Sequence, residues 1–379
     1  MTLELLLAGM LLVSLILYVL TAGADYGAGV WSLFAYGKRA HAHRPLIDQA
    51  IAPIWEANHV WLILVVTILF TGFPPAFALI STVLHLPLTA LLVGIVLRGS
   101  AFAFRTNDVK PRSEQDASHG FWARIFAGSS MLAPLMLGAT IGAIASGRLT
   151  LRPPPSFFDS FVAPWLAIFP LFVGCFTLAL FAYLAAIYLI FETEDHRLQD
   201  DFRLRALVSW ALVSSIGVAL LMLSRTQAPE IYGGLARTSG GRLILGLTAT
   251  AALVSLAALF FRWFGTARAG AAIQVTLIIF GWAAAQYPYL IVPDLTLAEA
   301  AAPAATLRLL VWSLLIGGLI LFPSLYYLYR IFKAHVLFTS SGDEANCPSS
   351  DILSGSMARP DYKNKEDSNG SRFAGEVRK

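Results

Sequence analysis

Polar and apolar positions in this chain fall in long blocks, not in the short periods of amphipathic helices or alternating strands. Runs of roughly twenty apolar residues, the length that crosses a hydrocarbon core of about 30 Å, recur between polar breaks. They predict about nine spans, near 3–35, 46–72, 76–104, 121–146, 157–191, 206–224, 242–261, 270–291 and 305–332. The first, third and fifth are longer than a crossing needs, so they tilt, kink or project. The expected fold class is therefore an all-α polytopic membrane protein. A transmembrane helical domain over 1–335 is followed by a tail, 336–379, rich in Ser, Asp, Asn and Gly, which buries too little apolar surface to order itself.

Composition agrees with the pattern. Of 379 residues, 57% are hydrophobic and 13% charged, with a mean hydropathy of +0.68; a soluble globular domain does not look like this. The net charge of +4 is small and scattered, which speaks against a nucleic-acid partner and for loop charge that sets orientation. One set of alternate loops carries Lys38, Arg39, Arg44, Arg105, Lys110, Arg112, Arg124, Arg197, Arg203, Arg205, Arg262, Arg268, Arg330 and Lys333. The opposite set carries only Arg148, Arg152, Arg225, Arg237, Arg242 and Arg308. The positive-inside rule then puts the N-terminus outside and the C-terminus in the cytoplasm. The first apolar run has no preceding Lys or Arg and contains Glu4, so it reads as a retained span and not as a cleaved signal. Cys175 and Cys347 form no motif for a disulfide, a thiolate metal site or an attached haem.

Candidate chemistry lies where the blocks are interrupted. The second span, "IAPIWEANHVWLILVV", holds Glu56, Asn58 and His59, flanked by Trp55 and Trp61. The first holds Asp25 in "TAGADYGAGVW". Counted from the basic loop between these spans, Glu56 and Asp25 lie roughly 16 Å and 20 Å deep, so two acids share one depth on consecutive helices. Glu56 and His59, three residues apart, share a helix side. Gly23 and Gly27 make a small-xxx-small face for close helix approach. A carboxylate in hydrocarbon costs about 2.5 kcal/mol or more, and such acids mark proton or ion routes when they are not hydrogen-bonded packing groups. Arg98, roughly 10 Å inside its boundary, either snorkels or pairs with an acid or a partner subunit. Pro53 and Pro87 free backbone carbonyls or kink their helices. His59 and His85 stand at different heights, which argues against a shared haem. Two classes fit these residues: an accessory subunit of a redox complex, or a proton- or cation-coupled secondary transporter using midplane acids.

The order "TAGADYGAGVW", a short basic loop, "IAPIWEANHVWLI", then a span ending "LRGSAFAFR" resembles subunit II of bacterial cytochrome bd-type quinol oxidases, including the cyanide-insensitive branch. The motifs cover the first third of the chain; span count and orientation extend the resemblance to about residue 335. The resemblance implies two four-helix bundles plus one peripheral helix in a bacterial inner membrane. The partner it implies is a subunit I that carries haem b, haem d and the quinol site, with a haem-free subunit II beside it. A structural quinone, membrane lipid and a small single-span accessory subunit are further expected partners. On this resemblance Asp25, Glu56 and His59 belong to a cytoplasmic proton pathway, and Asn58, Arg98, Trp55 and Trp61 to a polar network or subunit contact. Many relatives have Asp at Glu56 and Gln at His59.

Overall fold

Backbone amides and carbonyls find no partner in lipid, so apolar runs of this length satisfy them internally as helices. A computed structural model describes residues 2–34, 46–47, 55–106, 112–150 and 156–338. Among them α1 is Leu3–Leu33, α2 Trp55–Gly72, α3 Pro74–Val83, α4 His85–Thr106 and α5 Arg112–Ala145. The short α6, Phe157–Phe161, precedes α7, Ile168–Phe191, and α8, His196–Gln227. After α9, Pro229–Tyr232, and a π-turn over Gly233–Arg237 come α10, Ser239–Phe260, and α11, Phe264–Gln286. A two-stranded hairpin, β1 Tyr289–Ile291 with β2 Leu295–Thr296, and α12, Leu297–Ala300, lead into α13, Ala304–Phe338. The tail expected from residue 336 lies outside the described residues beyond Phe338.

Eight described helices are long and apolar enough to cross a membrane alone; α2 with α3 makes a ninth if that pair counts as one span. The α2 and α3 axes differ by 117° at Phe73, where Pro74 and Pro75 open the new helix with no amide to donate. The fifth expected span, 157–191, is instead two pieces, because a turn over 162–167 separates α6 from α7. The expected 206–224 segment is longer at both ends as α8, whose N-terminal turns are too charged to register as an apolar run. Residues 287–291, expected at the end of a span, leave α11, and the last three of them form β1.

Packing follows the small residues. α1 lies against α2, α5, α7 and α11, so its buried face runs from Leu7 to Trp31. One group comprises α1, α2, α4 and α5; a second comprises α7, α8, α10 and α11; the α1–α7 and α5–α7 contacts join them. α13 is peripheral, with Leu309, Trp312, Ile316 and Leu319 exposed. At the α10 terminus Arg262 takes a left-handed φ of 59°, and Arg203 of α8 donates from Nε to Leu259 O and from Nη2 to Phe260 O, satisfying carbonyls the helix leaves open. Between spans, Thr296 and Glu299 form a capping box, and the hydrogen bonds from Thr296 hold the Glu299 carboxyl below its ordinary value.

Candidate functional site

The buried polar residues of the first helical group converge on one face of α1. Gly27 allows this: a Cβ there would meet Phe181 O, so only glycine lets α1 and α7 approach so closely. A Cβ on Gly29 would likewise strike Ser130 Oγ, and that space lets α5 bring its serine beside α4.

Into this space Arg98 extends from α4. It is 1% exposed, and its Nη2 donates to Asp25 Oδ1 at 2.8 Å and to the Asp25 backbone carbonyl at 3.2 Å. Its Nε donates to Ser130 Oγ at 3.2 Å. The guanidinium lies 4.8 Å from the centroid of Tyr26 and 5.1 Å from that of Phe126. Buried charge persists when it is paired, hydrogen-bonded and stacked, and all three hold here. The pair is fully chelated on one side only: Asp25 Oδ2 is buried and has no hydrogen-bond partner among the described residues.

His59 of α2 sits between two tyrosines of α1, its ring centroid 6.3 Å from Tyr18 and 6.3 Å from Tyr26. Asn58 is 4% exposed, and its Oδ1 has no hydrogen-bond partner among the described residues. Trp61 is buried against Phe322 of α13, with ring centroids 6.0 Å apart. Trp55 and Glu56 open α2, and their side chains lie outside the described part of the structure. Asp25 and Arg98 are thus paired, and His59 meets the same Tyr26 ring that Arg98 covers, while Asn58 is buried on α2. His85, in contrast, stands at the α3–α4 junction, bonded through Nδ1 to Thr82 O at 2.9 Å and edge-on to Phe161 at 5.2 Å. His59 and His85 thus occupy different surroundings. Among the described residues no group of three His, Cys, Asp or Glu is placed to hold a metal ion.

Tyr18, Tyr26, Phe126 and Ser130 were not singled out by the sequence. Tyr18 and Tyr26 follow from α1 periodicity, at i−7 and i+1 of Asp25, once its buried face is known. Ser130 and Phe126 depend on the α4–α5 packing and carry no local signal.

A second feature is a cavity of about 620 Å³ bounded by α1, α5, α7, α8, α10 and α11, apolar except at a few positions. Gln274 Oε1 and Trp282 Nε1, from residues of its lining, are buried without a hydrogen-bond partner among the described residues.

Comparison with known proteins supplies the remaining facts. The family model described as cytochrome bd terminal oxidase subunit II matches residues 3–332. A Bacillus subtilis protein provisionally named cytochrome bd menaquinol oxidase subunit II is 25% identical over 328 residues, 83% of this chain and 91% of that protein. Escherichia coli cytochrome bd-I ubiquinol oxidase subunit 2 is 29% identical over 143 residues, 38% of this chain and 35% of that one. A chain of the bd oxidase of Geobacillus thermodenitrificans superposes with a TM-score of 0.67 at 22% identity, over 88% of this chain and 99% of that chain, which establishes likeness of fold.

Proposed function

The chain belongs to the cytochrome bd terminal oxidase subunit II family, and from that premise we propose how it serves its complex, a quinol:O2 oxidoreductase. It stands beside a haem-bearing subunit I in the bacterial inner membrane, stabilises that subunit, and contributes a cytoplasmic proton path. Haem b and haem d reside on the partner, where they supply the electron transfer and O2 reduction. The two-span polar motif and the matched family support this reading over the transporter, for which no repeated pair of broken helices speaks among the described residues.

The observation that carries the proton path is the Asp25–Arg98 pair. Two fully bonded charges would be a sealed structural clamp. Here Arg98 engages Oδ1, and Oδ2 is buried without a hydrogen-bond partner among the described residues, so the carboxyl has an atom on which a proton can arrive and depart while the guanidinium stays in place. Protons enter at Glu56 from the cytoplasmic side, pass by His59 and Asn58, and reach Asp25. Arg98 fixes the acid's position and compensates its charge between arrivals. The N-terminus outside and C-terminus inside follow from the loop charges.

A structural quinone would fit the apolar cavity, where Phe176 and Leu221 would line the space for an isoprenoid chain and Trp282 Nε1, without a partner among the described residues, would be the donor for a ring carbonyl. Extraction of the washed complex should yield more bound quinone from wild type than from Trp282→Phe; equal amounts would place the quinone elsewhere. A small single-span accessory subunit and annular lipid complete the proposed assembly.

To test the assignment, the tagged chain is purified from native membranes and quinol-dependent O2 uptake is measured with haem spectra. The expected result is co-purification of a haem-bearing membrane partner with oxidase activity. A stable, haem-free homo-oligomer that couples ions to solute uptake would overturn it.

A further inference from the structure

The polar face of α1 does not end at Asp25. Tyr18, Ala22, Asp25 and Tyr26 fall at i, i+4, i+7 and i+8, a single stripe turned into the first helical group. Tyr18 and Tyr26 are 0% and 1% exposed. A buried phenol normally gives its O–H to an acceptor, yet neither hydroxyl has a hydrogen-bond partner among the described residues. They approach each other without reaching hydrogen-bonding geometry, and both lie within electrostatic reach of Asp25 and Arg98.

Ring packing explains the aromatic part of each side chain. Tyr26 lies under the Arg98 guanidinium, stacks on Phe181 at 6.2 Å and meets the His59 ring edge-on. Phenylalanine would make all of these contacts and would avoid the desolvation of a hydroxyl that has no partner among the described residues. The hydroxyls therefore need another reason.

We propose that Tyr26 and Tyr18 carry protons onward from Asp25, extending the route about 10 Å deeper along α1. The inference rests on the reading of Asp25 as a relay. A phenol both accepts and donates: its lone pair takes a proton from the Asp25 carboxyl side as its own O–H proton leaves on the far side. No phenolate persists, and rotation about the C–O bond resets the hydroxyl. No electron moves in this step, and the driving force is proton consumption at the partner's O2-reducing centre. Passage between the two hydroxyls requires that they come into bonding geometry.

The test uses the whole complex with Tyr18→Phe, Tyr26→Phe and the double variant, each of which keeps the ring that packs on Arg98 or His59. O2 uptake in saturating quinol is normalised to haem d, in H2O and in D2O. The expected outcome is haem content as in wild type, turnover lower by roughly tenfold in at least one variant, and an enlarged solvent isotope effect, which a purely structural role would not produce. If the tyrosine variants turn over at wild-type rates while Asp25→Asn is slow, the relay through Asp25 stands and its tyrosine extension is wrong. If Asp25→Asn is also unaffected, the relay reading itself fails. Should a Phe variant lose haem d, fluorotyrosine at the same position keeps the fold and changes the acidity of the hydroxyl; an unchanged rate there overturns the proposal.

Discussion

Arg98 illustrates how far a single residue can be read without its neighbours. Its depth shows that it either reaches for the interface or pairs inside, and its span offers no means of choosing. The choice is made by Asp25 on α1, Ser130 on α5, and the rings of Tyr26 and Phe126, all of them tertiary neighbours. Because Arg98 is planar and donates in several directions, lysine is a poor substitute: it keeps a charge but loses the Nε bond and the two-ring stacking. Arg98→Lys should retain part of the assembled complex at a lower thermal midpoint. Arg98→Ala should cost about 3–5 kcal/mol, since it leaves Asp25 buried without its cation. Haem d content and melting of the purified complex measure both. A full-strength complex in Arg98→Ala would mean that the pair is structurally dispensable. Glu56, legible from sequence as an acid in a membrane span, enters the account through its type and depth, since its side chain lies outside the described residues.

At the scale of elements, the apolar blocks located the long helices, while their ends depended on features that hydropathy does not register. The bend at Phe73 comes from consecutive prolines, the division of the fifth span from a turn inside an apolar stretch, and the long α8 from helical turns that are charged. The Gly23–Gly27 spacing did announce a close helix contact, and α7 fills it. Gly27→Ala forces a methyl group onto the Phe181 carbonyl, so α1 and α7 must separate at a cost of about 1–3 kcal/mol. Gly9→Ala, which meets nothing within 4 Å, serves as the matched control on the same helix. Thermal melting of the two variants should show a lower midpoint for Gly27→Ala alone; equal midpoints would contradict the close approach. The Arg203 bonds to the end of α10 give a parallel expectation, with Arg203→Ala destabilising by about 1–2 kcal/mol through carbonyls left unbonded.

For the whole molecule, fold class and family were legible because the membrane restricts both composition and motif placement. The grouping of helices around α1, the peripheral place of α13 and the cavity between groups required the packed chain. Orientation is a property at this scale: single cysteines introduced near residue 2 and near Arg262, in a background lacking Cys175 and Cys347, should react with an impermeant maleimide from outside and inside respectively. The reverse pattern would invert the proposed proton entry. The central claim is that protons reach the partner through this chain's acids, and its most direct test is O2 uptake in saturating quinol, normalised to haem d, for Glu56→Gln, Asp25→Asn and the double variant. The account predicts that each single variant assembles with full haem content and is slowed by roughly tenfold or more. It also predicts that Glu56→Asp keeps much of the activity and that the double variant is less than additive because the two acids share one route. Wild-type turnover in both single variants would contradict it.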